Sequence, residues 1–537
     1  MKHRGIVMSR KGMVASAHPL ISSTGIDILK KGGNAMDAAV AMANTSGVVL
    51  PDMCGLGGDV FLLYYDAASK KISALNGSGA APEQATIDYF KRHGMNHIPN
   101  DGILSAAVPG EVDACLLALE KFGTMRFADL CQDAIDLAEN GCPVSEKVAR
   151  HLHTDYDKIL RFEGLRKRFL KNDNEPLAAG ELYYNPEYAH SLRIIAEQGR
   201  AAFYEGELAE KLVKHSEKHG GLFKLEDLKA MKSEILEPIS VPYRNYRVFQ
   251  TPPVSQGIIH LEEMNILNQF DFSKLEPESA EAIHLMVEAK KLAFNDRVRY
   301  FGDPSFVNNP IDMILSEEYA KKQASAIRMD RSLPIIDEIP FNEKGHTTSF
   351  VVVDSQGNAV SFIHSISASW GSGEEIEGCG ILLNNRLGSG FNLTEGHPNC
   401  LHPHKKTMHT LVTYMVTDNQ GNLRWVGNTP GGDNQPQWNM QTLCNVIDFG
   451  MDVQSALETA KWADAQSSNP CGSITNVLKI EKQIGEEKLK QLQAMGHELK
   501  VIEPYECSGA SQLIEIKENG VLFGGSDPRA DGCAMPL

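Results

Sequence analysis

The sequence has no Cys-x-x-Cys pair. Its ten cysteines, at 54, 115, 131, 142, 379, 400, 444, 471, 507 and 533, are scattered over 537 residues. Such spacing describes reduced, mostly buried thiols rather than a disulfide frame. No apolar run approaches the roughly 18 residues that a membrane-crossing helix needs. The basic start, Met1-Lys-His-Arg, is not followed by the apolar stretch of a signal peptide. The expectation is a cytoplasmic protein without a membrane partner. Positive charge is scarce: 52 Lys+Arg against 69 Asp+Glu leave −17, and no local basic cluster offsets it. That surface repels phosphate backbones, which argues against a nucleic-acid partner. Four catalytic signatures are also missing: Gly-x-Ser-x-Gly, a Walker A loop, His-Glu-x-x-His, and a complete Gly-x-Gly-x-x-Gly opening a helix.

What is present suffices for a packed fold, with 42% hydrophobic and 23% charged residues. Leu20, Ile21, Gly25, Ile28 and Leu29 recur near one face of a helix that stops at Gly32-Gly33. Asn34 opens a second helix of small residues, and Val60-Phe-Leu-Leu-Tyr-Tyr suits a buried strand. Residues 109–330 are mainly helical in pattern, punctuated by the strand-like Tyr246-Arg-Val-Phe-Gln and by Pro252-Pro253. Residues 331–346 carry two prolines and no period, as an exposed connector would. Beyond them, two β-branched runs at 348–354 and 359–366 flank a polar, Gly-containing turn and predict a hairpin. Strand-like runs at 410–416 and 423–427 precede helices at about 434–449 and 453–463. Strands followed by helices predict a layered α+β sandwich.

Two motifs have ordinary explanations. Gly55-Leu-Gly-Gly-Asp59 only loosely resembles a phosphate cradle, and a tight turn against a packed helix explains it as well. His397, Cys400, His402, His404 and His409 are metal-ligand types, but their spacing matches no closed zinc site. A solvated loop is the better reading, with no metal. The sharper feature is Gly345-His346-Thr347-Thr348, at the junction between the connector and the hairpin.

Read with the rest of the chain, that junction resembles the gamma-glutamyltransferase family of N-terminal nucleophile hydrolases over essentially the whole length. The resemblance is carried by Lys31-Gly-Gly-Asn-Ala-Met-Asp-Ala-Ala-Val-Ala41, Gly55-Leu-Gly-Gly-Asp59, Ala107-Val-Pro-Gly110 and Tyr243-Arg-Asn-Tyr-Arg-Val. Ala293-Phe-Asn-Asp-Arg297, Thr347-Thr-Ser-Phe-Val-Val-Val-Asp354, Pro430-Gly-Gly432 and Ser526-Asp-Pro-Arg529 follow in family order. It implies a four-layer αββα sandwich made as a precursor that cuts its own backbone before Thr347. The products would be a large chain, 1–346, with 331–346 as the pre-cleavage segment, and a small chain, 347–537, intertwined in one domain. A threonine hydroxyl is a weak nucleophile without a base. Once Thr347 is N-terminal, its α-amine, with a pKa near 8, can take the hydroxyl proton. The resemblance further implies oxyanion-stabilising N–H groups at Gly431 and Gly432, support of the nucleophile's amine by Ser365, and a lesser role for Thr348. It implies neither cofactor nor metal.

The departures from the family lie in the residues expected to read substrate: Ser78, Ser367, Arg386, Ser389 and Thr407. By alignment, Ser78 replaces an arginine, Ser367 an asparagine, Arg386 a glutamine and Ser389 an acidic residue. Charge-assisted hydrogen bonds contribute about 1.5–3 kcal/mol each, so losing two lowers affinity for a free α-amino acid a few hundredfold. Arg386 either offers a cation to a carboxylate from another wall or forms a surface ion pair on a charged loop. The expected function is a self-processing threonine amidohydrolase acting on gamma-glutamyl or related acyl amides. The alternatives are a cephalosporin or glutaryl acylase-like or oxamate amidohydrolase-like enzyme, and an unprocessed binding or scaffold protein. The expected partners are a small-molecule amide and the two chains of one precursor, with room for a homo-oligomer.

Overall fold

The computed structural model describes residues 3–334, 346–467 and 475–537. Most of the expected connector, 335–345 with Gly345, and Cys471 lie outside the described residues. The core is two seven-stranded sheets, antiparallel throughout. The first runs Cys533–Pro536, Met13–Ser16, Thr348–Val353, Ala359–Ser365, Asp59–Asp66, Lys71–Gly77, Glu234–Leu236. The second runs Val7–Ser9, Leu522–Ser526, Gln512–Ile516, Leu423–Asn428, Thr413–Asp418, Tyr246–Gln250, Ile239–Tyr243.

The period-2 alternation of strands decides what each face touches. Met13, Ala15, Val351 and Val353 of the first sheet meet Met415, Val426 and Ile514 of the second in one buried cluster. Their neighbours Val14, Phe350, Val352 and Phe362 turn to the other side, where helices Pro19–Lys30 and Ala35–Val49 pack. Val248, Tyr414, Val416 and Leu513 of the second sheet likewise pack on helices Gly257–Leu267, Ala280–Tyr300 and Gln435–Ile447. Helix Ala35–Val49 is buried along its whole length, which explains its small residues. Asn34 caps it with bonds to the Met36 and Asp37 amides.

The predicted hairpin forms, with Thr348 opposite His364 and Val353 opposite Ala359. One predicted helix is shorter than its pattern: it spans Val453–Glu458, and Trp462–Ser467 is a strand paired with Thr475–Glu481. Tertiary bonds decide this, because Trp438 Nε1 and Gln441 Nε2 both donate to the Trp462 carbonyl, at 2.9 and 3.0 Å. The described ends of the 331–346 segment are tied down rather than free. Ser332 N donates to the Met495 carbonyl, Leu333 N to Glu288 at 2.6 Å, and His346 is half-buried. The nine described cysteines are free thiols, and no described helix is long and apolar enough to cross a membrane.

Candidate active site

Thr347 immediately precedes the strand Thr348–Val353, which lies inside the first sheet between Met13–Ser16 and Ala359–Ser365. Only 3% of it is exposed. Ser365 closes the neighbouring strand, and its hydroxyl is the hub of the site. Ser365 Oγ accepts from Thr347 Oγ1 at 3.1 Å and from the Ser367 amide at 2.8 Å, and donates to the His346 carbonyl at 2.7 Å. Gly58 permits this geometry from behind: a Cβ there would stand 2.6 Å from the Ser365 carbonyl oxygen. The Gly55–Asp59 run is therefore a turn on which backbone closes tightly, since Gly57 similarly faces the Leu382 carbonyl.

His346 is fixed on both sides. Its amide donates to the Ser367 carbonyl at 2.8 Å, and its ring meets His151 edge-on with centroids 4.7 Å apart. His151 Nδ1 in turn lies 2.6 Å from Asp52 Oδ2. Burial, reinforced by His151, pushes the His346 imidazole down to about 4. Burial tends to raise the Asp52 carboxyl, but His151 and neighbouring cations hold it below its ordinary value. Thr348 is fully buried, and its Oγ1 has no hydrogen-bond partner among the described residues.

The strand that precedes the glycine pair is tied to the sheet of Thr347 through Asn428. At the end of strand Leu423–Asn428, the Asn428 side-chain Nδ2 donates to the carbonyls of Phe350 and Phe362, at 2.9 and 3.1 Å, and ties one sheet to the other. Thr347 lies three residues before Phe350, and Gly431 three residues after Asn428. Gly431 has φ +136°, and a Cβ there would stand 2.2 Å from the Trp438 ring. Gly432, at φ +58°, opens the 3₁₀ turn Gly432–Asn434 that runs into helix Gln435–Ile447. Asp433 in that turn is paired with Arg297.

The expected substrate residues fall into two groups. Ser367 and Ser389 join hydroxyl to hydroxyl at 2.6 Å, beside Ser365. Thr407 packs against Gly390, where a Cβ would stand 2.4 Å from its Oγ1. Ser78 and Arg386 belong to the second group, around Asp59. Ser78 is buried and donates to Asn76 Oδ1 at 2.6 Å, while Gly79 N donates to Asp59 Oδ1 at 3.1 Å. Arg386 Nε donates to Asp59 Oδ2, also at 3.1 Å.

The surface ion-pair reading of Arg386 is thereby overturned. Arg386 is 2% and Asp59 0% exposed, so the pair is internal. Burial pushes the Asp59 carboxyl up to about 6 against the pull of the guanidinium. It also lowers the affinity of Arg386 for its proton. Arg386 Nη2 is buried with no hydrogen-bond partner among the described residues.

Asp59 lies within the Gly55–Asp59 motif, whose pattern gives it no partner. The available signal was chemical: an arginine in an apolar setting needs a carboxylate. The Asp52–His151 pair had no signal, being 99 positions apart. The histidines at 397–404 do not converge. His397 Nδ1 engages Asn392 and Asn399, and His404 turns to Glu83.

Two facing antiparallel sheets, with a buried hydroxyl at the head of an inner strand and linked through a serine to the preceding carbonyl, define a mixed α/β amidohydrolase. The chain belongs to the gamma-glutamyltranspeptidase family, whose pattern matches residues 21–537. It is 38% identical to the "Glutathione hydrolase-like YwrD proenzyme" of Bacillus subtilis (strain 168), covering 99% of each chain. It is 33% identical to the "Glutathione hydrolase proenzyme" of Escherichia coli (strain K12), over 98% of this chain and 91% of that one. Its fold matches the crystal structure of cephalosporin acylase from Bacillus halodurans with a TM-score of 0.91, at 34% identity, covering 100% and 98% of the two chains.

Proposed function

We propose that this chain is a self-processing threonine amidohydrolase with a four-layer αββα architecture, cut between His346 and Thr347 into chains 1–346 and 347–537. The observation that carries the reading is Ser365 Oγ, seated between the Thr347 hydroxyl and the His346 carbonyl. That relay polarises the carbonyl while drawing the hydroxyl proton away. Thr347 Oγ then bonds to the His346 carbonyl carbon, the C–N bond between the two residues breaks, and the nitrogen leaves as the Thr347 amine. Water hydrolyses the resulting ester and leaves a carboxylate on His346. The freed amine serves as the base when Thr347 attacks substrate, and the Gly431–Gly432 amides receive the developing oxyanion.

The substrate class is an acyl amide, gamma-glutamyl or related. Within it, the site favours a substrate carboxylate without a neighbouring ammonium. Serines stand at 78 and 389, where the family resemblance leads one to expect a cation and an anion. Arg386 keeps one donor unpartnered, and its own carboxylate partner, Asp59, is already engaged by Gly79 and Arg386. An ammonium would have to shed its water without a partner, which is costly. The test is kcat/KM for gamma-glutamyl-p-nitroanilide, a glutaryl amide and oxamate on the matured protein. Preference for either of the last two supports the reading. A strong gamma-glutamyl preference returns the protein to hydrolysis of gamma-glutamyl compounds. A single uncut, inactive chain leaves only the binding-protein alternative.

A further inference from the structure

Helix Glu207–Lys218 and its C-cap carry His215 and His219 one turn apart, so both imidazoles lie on the same side. The rings stack with centroids 4.3 Å apart at 23°. Facing them is Glu374, whose Oε2 lies 3.1 Å from His215 Nε2 and 3.6 Å from His219 Nδ1. One donor atom from each residue falls within a 4.8 Å span. Neither the amide chemistry nor the candidate substrate residues use this cluster.

We infer that His215, His219 and Glu374 form a binding site for one zinc-class divalent cation. Two imidazole nitrogens and a carboxylate are a donor set that zinc accepts, with the remaining position left to water. Zinc–ligand bonds near 2 Å in a tetrahedron set donor atoms roughly 3.3–3.6 Å apart, close to the two carboxylate–imidazole separations here. His219 is 37% exposed and gives an ion a path from solvent, while His215 and Glu374 lie at 5% and 9% behind it.

The consequence concerns assembly. On the reading that the chain is cut before Thr347, both histidines belong to the large chain and Glu374 to the small one. The ion would then staple the two chains to each other. Around it the same elements meet through exposed contacts: the Lys218–Glu377 pair at 2.8 Å, and Lys211 Nζ on the Gly378 carbonyl at 3.2 Å. Surface pairs of that kind stabilise little.

The experiment is zinc titration against a chromogenic chelator, with metal content measured after dialysis, on the wild-type protein and on Thr347→Ala. The expected result is one zinc per 537-residue unit in both. His219→Ala and Glu374→Gln should weaken zinc at least about 100-fold, the upper end of what losing an outer-shell partner costs. His402→Ala, on an exposed loop, should leave it unchanged. In the matured protein, zinc should raise the urea concentration at which the two chains separate, and EDTA should reverse this. Absence of stoichiometric zinc, or undiminished binding in both His219→Ala and Glu374→Gln, overturns the site. The gel separates this from the cleavage reading. Two bands without zinc binding refute the staple alone, and one band with zinc bound refutes the cleavage alone.

Discussion

Arg386 and Asp59 form a buried ion pair, 3.1 Å from Nε to Oδ2, that joins the regions before and after Thr347. Removing one member of such a pair costs about 3–5 kcal/mol, because the other charge stays buried alone. The two removals should differ. Asp59→Asn strands a guanidinium that does not give up its proton. Arg386→Gln strands a carboxyl that burial has already pushed up to about 6 and that can take one. Asp59→Asn should therefore lower Tm more at pH 7. The pH dependence follows from the raised carboxyl. Folded Asp59 keeps its proton to higher pH than the unfolded chain, so its contribution falls as pH rises from about 4 to about 6. Without Arg386 that loss continues to higher pH. The Tm gap between Arg386→Gln and wild type should widen from pH 6 to 8 and narrow toward pH 5.

Thr347→Ala should leave one full-length band on denaturing electrophoresis and no amidase activity, since the attacking hydroxyl is gone. Ser365→Ala should slow maturation by breaking the bridge from Thr347 to the His346 carbonyl, with catalysis by any matured fraction less affected. Thr348→Ala should be milder than either. N-terminal sequencing of the small fragment should begin at Thr347.

Self-cleavage should slow as pH falls from about 6.5 toward 4. A folded-state imidazole pushed down to about 4 disfavours the docked His346 once an undocked one would protonate. His346→Ala should remove that inflection from the rate profile of the precursor. His151→Ala should make that fall smaller and end it at higher pH, because His151 adds to the depression.

Gly432→Ala should reduce turnover more than stability. At φ +58° a Cβ costs roughly 1–2 kcal/mol. Displacing one oxyanion donor costs on the order of 10²–10³ in kcat. Thermal melts and kcat on the same preparation separate the two effects. Full turnover in the variant would remove Gly432 from the mechanism. Gly431→Ala is the poorer test, since its Cβ would strike Trp438.

The local features were legible along the chain. The hairpin follows from two β-branched runs about a turn and the first helices from 3.6-residue periodicity and caps, whereas the nucleophile candidate at the hairpin's head came from the family resemblance. Gly431-Gly432 stood out only through the family resemblance. The strand at Trp462–Ser467 was not legible, because hydrogen bonds from Trp438 and Gln441 decide it rather than its own pattern.

The sequence by itself determined the family, the α+β class and the candidate nucleophile, because motif order and short-range periodicity are properties of neighbouring residues. Only the tertiary structure decided that Arg386 is neutralised by Asp59, that Asp52 and His151 hold His346, and that Asn428 clasps the two sheets. The physical reason is that a charge's meaning depends on what surrounds it. Partners 327 or 99 positions apart meet only when the sheets close, and their burial then sets which protons and bonds they keep.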